Sequence, residues 1–499
     1  MSQTTDTLPS RLYSAAQVRE LDARLIAAGT PGFDLMQRAA HAAWRALRRR
    51  WPDVEEITVL AGRGNNAGDG YLIATLAQRA GRQVRVIAVG DPLQLQGDAA
   101  QAFAEARAAG VSVTPWTSDA DLRGVLVDAL LGTGITGEVR EPYASVIRAM
   151  NDSALPILAV DLPSGLCADT GHLLGEVVRA ELTVTFIGLK LGLFTGQGPD
   201  RIGTLIFDDL QADAQVIDQI EPSALRLCEA SLPTLAPRSP TAHKGSFGQV
   251  LVIGGDLGTG GAALLSAEAA LRCGAGMVTL ATRPEHVTAS LVRRPEIMCS
   301  GVESTYALTA LAQRADVLVI GPGLGQAPWG RSLLSLAPQC LVSQVWDADA
   351  LNLLAAGAVD LPSDCLLTPH PGEAARLLDI SVAEVQADRP AAARALAARF
   401  GCAVLLKGAG TLIADRDGRL ALCDRGHPAM ASAGLGDVLA GVAGALLAQG
   451  LAPFEAACLA VWLHAVAGER LGAAGRGLVA ADLIPMVRQL LEEHSPCLT

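Results

Sequence analysis

Short apolar runs alternate with amphipathic stretches along the first half of the chain. The runs are rich in Val, Ile and Leu and end in Gly, Asp or Pro, and they cover residues 56–62, 84–90, 124–134, 156–165 and 182–188. Residues 71–81 and 97–110, between them, have the spacing of helices. Strands that alternate with helices in this way predict a mostly parallel, doubly wound sheet.

A proline-rich stretch interrupts this pattern. Residues 220–245 contain four prolines and no clear periodicity, so we interpret them as a linker. Strand-like runs resume at 249–255, 277–282, 316–325, 340–349, 365–369 and 402–408, and long helices close the chain. Because the halves share an alternation but no repeated motif, we predict two different α/β domains, residues 1–225 and 226–499.

Composition narrows the class of protein. Of the 499 residues, 50% are hydrophobic and 18% charged, and the net charge of −12 argues against nucleic-acid binding. The apolar run at 438–454 is too short and too rich in glycine to span a bilayer, so we interpret it as a buried helix. No apolar core marks a signal peptide in residues 1–14. The ten cysteines form no C-x-x-C pair, which indicates a reducing compartment. We therefore expect a cytoplasmic protein without a membrane partner, and the apolar composition favours a homo-oligomer.

The stretch AGRGNNAGDGY, residues 61–71, resembles a phosphate-binding loop with unusual side chains. Gly62, Gly64 and Ala67 fit the pattern G-x-G-x-x-G/A between a strand and a helix. Asn65, Asn66 and Asp69 do not suit a pyrophosphate, which a carboxylate would repel. They suit a sugar hydroxyl, an amide or a cation, although Asn and Asp can also stabilise a turn through their own backbone.

Two more strand ends carry similar chemistry. Asp128 precedes a Gly- and Thr-rich loop at 132–138, and Asp161 precedes Ser164 and Gly165. Since ligands bind beyond the carboxyl ends of parallel strands, one edge of the sheet should gather Asn66, Asp128, Asp161 and Ser164. Oxygen ligands of low total charge suggest a weakly held cation beside a ligand.

In the second half, ASAGLGDVLAG at 431–441 places Asp437 in the first turn of a helix. The helix start could bind anionic oxygens, with Asp437 as the base in a phosphoryl transfer. An ordinary helix-capping aspartate is the alternative. Lys407, followed by Gly408 and Gly410, offers a charge and free amides to nucleotide phosphates, or is simply a lysine at an exposed turn.

Other polar groups follow strands in this half. His370 and Glu373 lie between a strand and a helix, where His370 could bond to a ligand or the stretch could cap the helix. The glycines of 321–325 suit a close approach to a ligand. Asp347 and Asp349 could help to hold a metal–nucleotide complex or could be solvated acids.

The motifs GRGNNAGDG, DALLGTGITGE and DLPSGLCADTG, in this order, resemble the NAD(P)H-hydrate epimerase domain over about residues 11–220. The resemblance implies a Rossmann-like fold, Asp161 as the catalytic acid/base, and a potassium ion held by Asn66, Asp128 and Ser164. The substrate contacts that it implies are Asn65, Asn66, Ala67, Gly68, Asp69, Gly132, Thr133, Gly134, Ile135, Thr136, Gly137, Glu138, Tyr143 and Asp161. Ala67 and Cys167 depart from the family, which commonly has Gly and Asp there.

The motifs HKGSFG, LLTPHPGEAARLL, LLKGAGT and ASAGLGDVLAG are similar to those of the ADP/ATP-dependent NAD(P)H-hydrate dehydratase domain, over about residues 226–495. This resemblance implies a ribokinase-like fold and Mg²⁺ with ADP or ATP. The hydrate would contact Ala263, Gly323, His370 and Asp437. The adenine nucleotide would contact Lys407, Gly408, Ala409, Gly410, Thr411 and Gly436. Ala433 stands where a Gly is common in the turn before Asp437.

The two resemblances together imply a bifunctional enzyme for hydrated NADH and NADPH (NADHX and NADPHX). One domain would interconvert the R and S epimers, and the other would dehydrate the S form after phosphorylation of its C6 hydroxyl. Motif spacing alone gives only phosphoryl transfer to a small molecule. A ribokinase-type kinase with a nucleotide-sensing domain, or a non-catalytic nucleotide-binding protein, therefore stays open as an alternative.

Overall fold

The computed structural model describes residues 8–362 and 364–498. Its contacts divide the chain into two compact units, with the division between Leu225 and Arg226. The division falls within the proline-rich stretch at 220–245. Residues 1–7 lie outside the described residues. They begin the first predicted domain, and they belong to the segment 1–14 in which no signal peptide is expected.

Among the described residues, ten short strands begin in the first unit, and the last of them ends at Arg226, one residue beyond the division. They are β1 (Arg11–Tyr13), β2 (Glu56–Ala61), β3 (Gln83–Ala88), β4 (Ser112–Pro115), β5 (Val125–Ala129), β6 (Ile157–Val160), β7 (Leu182–Phe186), β8 (Leu189–Lys190), β9 (Thr204–Asp208) and β10 (Ala224–Arg226). Seven of them form one sheet in the order β4-β3-β2-β5-β6-β7-β9, and every pair in it is parallel. Because strand order reverses between β2 and β5, the sheet is doubly wound and Rossmann-like, as predicted.

Helices cover this sheet and bury its Val- and Ile-rich strands. They are α1 (Ala15–Ala27), α2 (Gly32–Arg50), α3 (Asn65–Arg79), α4 (Gly97–Ala108), α5 (Tyr143–Asp152) and α6 (Ala214–Ile217). The predicted helix at 97–110 corresponds to α4. Helix α1 begins with a capping box, in which the Ser14 side chain accepts from the Gln17 N–H and the Gln17 side chain accepts from the Ser14 N–H. Outside the main sheet, β1 pairs with β8 and β10.

The stretch 65–69 is helical, so the prediction that it forms a loop before a helix at 71–81 is wrong. Helix α3 begins at Asn65, six residues earlier. Asn and Gly are poor helix formers, and the helix depends on close packing instead. A Cβ at Gly68 would lie 2.6 Å from the sulfur of Met36, and one at Gly70 would lie 2.5 Å from Cβ of Ala129. Ala67, by contrast, is fully buried on a helical backbone that accommodates its Cβ.

In the part of the second unit that the structure describes, nine further strands lie side by side. They are β11 (Gln249–Ile253), β12 (Met277–Thr282), β13 (Met298–Gly301), β14 (Val317–Ile320), β15 (Ser343–Trp346), β16 (Cys365–Leu367), β17 (Ala403–Leu406), β18 (Thr411–Ala414) and β19 (Leu420–Cys423). Their order is β13-β12-β11-β14-β15-β16-β17-β18-β19. The pairs are parallel as far as β17, and the β17–β18 and β18–β19 pairs are antiparallel, so this sheet is mostly parallel.

Helices also cover the second sheet. They are α7 (Gly260–Arg272), α8 (Pro284–Arg293), α9 (Thr305–Ala312), α10 (Pro328–Leu334), α11 (Asp349–Ala355), α12 (Pro371–Leu378), α13 (Val382–Ala387), α14 (Arg389–Phe400), α15 (Leu435–Ala448), α16 (Pro453–Gly472) and α17 (Ala480–His494). The apolar run after Asp437 forms α15, which is buried as expected. Among the described residues, no helix combines the length and apolar character needed to cross a membrane.

Candidate functional site

A cavity of about 510 Å³ opens beyond the carboxyl ends of β2, β5 and β6 in the first unit. This is the position at which open parallel sheets bind ligands. Nine of the predicted contact residues line it, namely Asn65, Asn66, Asp69, Gly132, Thr133, Gly134, Ile135, Tyr143 and Asp161. Ala67 and Gly68 are buried within α3, and Thr136, Gly137 and Glu138 are exposed residues outside the lining.

The three predicted cation ligands are connected through Leu131, whose carbonyl accepts from Asn66 and whose N–H donates to Ser164; Asn66 lines the cavity, whereas Asp128 and Ser164 are buried behind its lining. Asp128 and Ser164 are fully buried, and Ser164 donates to Asp128 through its backbone N–H at 2.8 Å and through Oγ at 2.6 Å. Asn66 donates Nδ2 to the Leu131 carbonyl at 3.1 Å, while its Oδ1 is buried without a hydrogen-bond partner. A buried acceptor without a donor is costly, so this oxygen suits a bound cation.

Asp128 is the one carboxylate in this group. Burial raises its pKa to about 6, although the hydrogen bonds from Ser164 and Leu130 oppose that rise. A cation among these oxygens would favour the ionised form. One carboxylate, one amide oxygen and one hydroxyl match the low charge that a monovalent ion requires.

A second charged group occupies the same cavity. Asp161, in a left-handed backbone conformation with φ of 67°, forms an ion pair with the buried ammonium of Lys190. Lys190 also donates to Thr185 Oγ1 at 3.0 Å and to the Phe186 carbonyl at 3.1 Å. A non-glycine residue with positive φ commonly marks a functional position, and here that backbone aims the carboxylate at the cavity.

Two further carboxylates accompany this ion pair. Burial and the charge of Asp161 raise the pKa of Asp22, and burial, Asp161 and Asp22 raise the pKa of Asp69 well above its ordinary value. The cavity thus holds a lysine-paired aspartate beside an aspartate whose pKa is raised by burial. Carboxyl groups in such different surroundings are typical of acid–base sites.

The second unit gathers charged side chains where β15, β16 and β17 end and α15 begins. Lys407 Nζ lies 2.8 Å from Oδ1 of Asp347 and 3.9 Å from Oε2 of Glu373. Burial disfavours the charge of Lys407, yet Asp347, Glu373 and Asp437 together raise its pKa. Gly436 lies against this cluster, since a Cβ there would be 3.3 Å from Nζ of Lys407.

Asp437 lies in the first turn of α15, as predicted. Burial raises its pKa to about 7, with Asp347 and Asp349 adding to the rise and Lys407 opposing it. A carboxylate that titrates near neutral pH is suited to general-base catalysis. His464 is buried, and burial lowers its pKa to about 4. Its Nε2–H donates to the Leu435 carbonyl at 3.0 Å and so holds this turn in place.

His370 and Glu373 form the rim of the cluster. His370 caps α12, accepting from the Gly372 N–H at 2.9 Å, while Glu373 accepts from the His370 N–H at 2.8 Å. The capping alternative is therefore correct for this stretch. The imidazole still has half of its side-chain surface exposed, with Nε2 3.3 Å from Glu373 Oε1. Burial raises the pKa of Glu373 to about 7.

The loop 407–411 is held on its buried side by an arginine that the sequence analysis did not identify. Arg389, at the start of α14, is buried and donates to the carbonyls of Leu406, Lys407 and Gly410 at 3.2–3.4 Å. Burial lowers its pKa to about 10. With these carbonyls facing inward, the loop turns at Gly408 with φ of 137° and is closed by Thr411, whose Oγ1 donates to Gly408 O at 2.9 Å.

The remaining predicted contacts lie where β11 and β14 end. Gly323, with φ of 58°, accepts from the Asp256 N–H at 2.6 Å and from Thr259 Oγ1 at 2.8 Å. Ala263, one turn into α7, is fully buried. Helix α7 packs against α15, where Gly441 meets the backbone of Ser266.

Asp347 and Asp349 differ in their surroundings. Asp347 is buried and accepts from Thr368 Oγ1 at 2.8 Å as well as from Lys407. Asp349 accepts from the Gly325 N–H at 2.9 Å, which fixes the glycine-rich turn. Asp347 is therefore not the solvated acid that was one of the two sequence interpretations, whereas Asp349 is only half-buried.

Sequence reasoning missed Lys190, Asp22 and Arg389. Lys190 stands alone among apolar residues, whereas Asp22 and Arg389 lie beside other charged residues and look like ordinary surface charges. Burial is the property that marks Lys190 and Arg389, because Lys and Arg are almost never fully buried unless paired.

Comparisons with known proteins agree with the two-part architecture. Residues 32–192 match the family model described as YjeF-related protein N-terminus, and residues 250–487 match NAD(P)H-hydrate dehydratase. A bifunctional NAD(P)H-hydrate repair enzyme from Coxiella burnetii is 45% identical over 488 residues, covering 96% of this chain and 99% of the relative. One from Escherichia coli is 42% identical, covering 98% and 96%.

Among solved structures, a ribokinase-like superfamily protein from Enterococcus faecalis matches with a TM-score of 0.51 at 29% identity, covering 54% of this chain and 96% of that one. This likeness agrees with the ribokinase-like fold predicted for the second unit. The full-length relatives span both halves of the chain. The chain therefore belongs to the family of bifunctional NAD(P)H-hydrate repair enzymes, in which one polypeptide joins an epimerase to a dehydratase.

Proposed function

We propose that the unit ending at Leu225 carries the epimerase site and that the unit from Arg226 carries the dehydratase site. The observation that supports this division best is the pair of separate acid–base centres, one around Asp161 and the other around Asp437. The direct test follows the recovery of reduced-nicotinamide absorbance from mixed hydrate epimers, with ADP or ATP, in the presence and absence of potassium.

In the epimerase site, the substrate carries a hydroxyl on C6, next to the ring nitrogen. Protonation of that hydroxyl by Asp69 releases water and leaves a C6–N double bond with a positive charge on nitrogen. The carboxylate of Asp161, paired with Lys190, stabilises this cation. Water then adds to the opposite face and gives its proton to Asp161. Transfer of a proton from Asp161 to Asp69 restores both carboxyl groups, so the configuration at C6 is inverted with no net change in atoms. Tyr143 and the loop at 132–135 form the walls around the ligand.

Potassium is our assignment for the cation beside Asn66, Asp128 and Ser164. The residues present fit it, because Asn66 Oδ1 is a buried acceptor without a donor and Asp128 supplies one charge. The ion would supply a fixed positive charge at the cavity base. The protein would contribute the rigid positioning of Asn66 and of the loop after β5 through the Asp128–Ser164 bonds.

Replacing Ser164 by Ala should remove the dependence of epimerisation on potassium. The hydroxyl is a ligand in this assignment and also bonds to Asp128 and to the Leu131 N–H, so activity should fall and become equal in K⁺ and Na⁺. Initial rates in the two salts, together with the rise in melting temperature on adding K⁺, measure the effect. A Ser145→Ala variant in α5 is the control. A potassium response that survives unchanged in Ser164→Ala would remove the assignment.

In the dehydratase site, Asp437 takes the proton of the C6 hydroxyl as that oxygen attacks the terminal phosphorus of ADP or ATP. The new C6–O phosphate is a better leaving group than hydroxide. Loss of the C5 proton and of phosphate then restores the C5–C6 double bond. The backbone amides at the start of α15, beside Gly436, lie where negative charge develops.

The predicted nucleotide contacts, Lys407 to Thr411 with Gly436, border the same cluster. We assign the phosphates to this side and the hydrate to the side of Gly323, Ala263 and His370. Asp347, Asp349, Glu373 and Asp437 outnumber Lys407 as charged groups, so this site needs added positive charge. A magnesium–nucleotide complex fits that need, since Mg²⁺ is bound through one or two carboxylates and substrate phosphates.

Dehydration should show an acid limb near pH 7. Asp437 must be ionised to act as a base, and its pKa is raised to about 7 chiefly by burial, so kcat/KM should rise with pH and level off above that value. The Glu373→Gln variant keeps the capping bond to His370 and should keep the limb. A pH profile of the dehydration of isolated S epimer measures it. If the limb disappears in Glu373→Gln, Glu373 rather than Asp437 is the titrating base.

A ribokinase-type kinase remains the rival function. It predicts that a stable phosphorylated product accumulates with other small alcohols, whereas a dehydratase releases inorganic phosphate in step with NAD(P)H. Measurement of both products in one reaction separates the two.

We also assign the protein to the cytoplasm as a homo-oligomer. All ten cysteines are free thiols, which suits a reducing compartment. Five of them are buried in the second unit, namely Cys273, Cys365, Cys402, Cys423 and Cys458. Sedimentation of the purified chain tests the oligomer.

A further inference from the structure

A second cavity lies on the first unit, beyond the carboxyl ends of β3 and β4. Its volume is about 760 Å³. Two aromatic side chains, Phe103 and Trp116, contribute to its walls, together with Leu93, Val113 and Arg107. None of the residues in this cavity belongs to the acid–base site or to the cation site described above.

The position of this cavity follows the sheet order. Asp161 comes directly after β6, and three strand intervals (β6 to β5, β5 to β2 and β2 to β3) separate it from the end of β3. At about 4.8 Å for each interval, the two points are about 14 Å apart along the sheet edge. An extended dinucleotide joins its two bases over a distance of this order.

The residues between the two cavities suit a phosphate bridge. Arg63 lines the first cavity, and its guanidinium lies over Gly90, which lines the second. Tyr143 also lines the first cavity, and its hydroxyl donates to the Val89 carbonyl at 3.4 Å. Burial raises the pKa of this phenol, and Arg63 is close enough for its charge to oppose that rise. The start of α3 adds backbone amides on the same side.

We propose that the second cavity binds the adenosine end of the hydrated dinucleotide, with Arg63 at its pyrophosphate. In doubly wound sheets that bind dinucleotides, one mononucleotide occupies each side of the point where strand order reverses. Here that point lies between β2 and β5, the hydrated ring lies on the β5–β6 side, and the β3–β4 side carries the aromatic cavity. Trp116 supplies an aromatic wall on which adenine can stack, and Phe103, whose ring contacts Tyr71 edge-on and the Arg107 guanidinium, also lines the cavity. Asp91, just after β3, is at the position from which an acid binds the ribose hydroxyls.

This inference rests on the proposed epimerase site, because it extends that site along the same sheet edge. The test compares two substrates, the hydrate of NADH and the hydrate of reduced nicotinamide mononucleotide, which lacks adenosine. Epimerisation of each is followed from one isolated epimer, without ADP or ATP. Trp116→Ala removes a stacking wall, and Thr114→Trp fills the cavity from an exposed position on β4. Ser112→Trp, also exposed on β4 but outside the lining, is the matched control.

In both cavity variants, KM for the NADH hydrate should rise about tenfold, while KM for the mononucleotide hydrate and kcat for both change less than about twofold. AMP should compete with the dinucleotide in the parent and in Ser112→Trp, and about tenfold more weakly in Thr114→Trp. An equal effect on both substrates, or no effect in Thr114→Trp, would overturn the adenosine site. Asp161→Asn with full epimerase activity would instead overturn the proposed function itself, so the two failures are distinguishable.

Discussion

Replacing Asp437 by Asn should slow dehydration of the S hydrate by about a thousandfold and leave epimerisation unchanged. General-base catalysis commonly contributes ~10²–10⁴ in rate, and Asp437 is the carboxylate that lies at the start of α15 with its pKa raised to about 7 by burial. The measurement is the rate at which NADH absorbance returns from isolated S epimer with ADP or ATP, beside NMR of epimer exchange in the same sample.

Loss of fold is a poor explanation for such a result. A pKa raised by burial means that the folded state disfavours the ionised carboxylate, and this penalty grows as the pH rises from the ordinary value of 3.8 towards 7. The neutral Asn side chain avoids that penalty, so the variant should unfold at a temperature no lower than the parent at pH 7. Asp417→Asn, at an exposed position of the same unit, is the control. A dehydration rate within threefold of the parent would remove Asp437 from the mechanism.

Replacing Asp161 by Asn should have the mirror effect, with epimerisation reduced by about a thousandfold and dehydration of pure S epimer retained. The amide cannot stabilise the cationic ring or accept the proton of the incoming water, and it leaves the buried ammonium of Lys190 without its carboxylate. Supplied with mixed epimers, the variant should convert the S fraction promptly and the R fraction only at the spontaneous rate.

The lost charge in Asp161→Asn could also disturb the fold, because Lys190 is fully buried. The double variant Asp161→Asn with Lys190→Met removes both charges, and it should regain thermal stability without regaining epimerisation. Asp152→Asn, exposed at the end of α5, is the control. If the double variant epimerises at the parental rate, the acid–base centre lies elsewhere.

The sequence predicted the order of buried strands well, because each is a continuous apolar run bounded by Gly, Asp or Pro. Residues 277–282 coincide with β12, and 56–62 differs from β2 by one residue. Strands such as β9, β13, β18 and β19 were not predicted. Several residues of β9 and β13 are partly exposed, so their apolar runs are interrupted. Strands β18 and β19 form an antiparallel hairpin, in which one apolar run merges with the next.

The site was predictable where function is local in sequence and not where it depends on long-range packing. Asn66, Asp128 and Ser164 come from three separate motifs and meet because parallel strands end at one edge. Lys190 and Arg389 act through ion pairs and carbonyl contacts that only the tertiary fold creates. The helical state of Asn65–Asp69 depends in the same way on Met36 and Ala129, which are distant in sequence.

The surplus of carboxylates around Lys407 has a consequence for repair in a living cell. A nucleotide that arrives without its metal brings more negative charge to a region that already has too much, so it should bind poorly and inhibit little. We expect the rate of coenzyme recovery to follow the supply of free magnesium rather than the total nucleotide pool. Cells starved of magnesium would then accumulate the damaged coenzyme even when energy is plentiful.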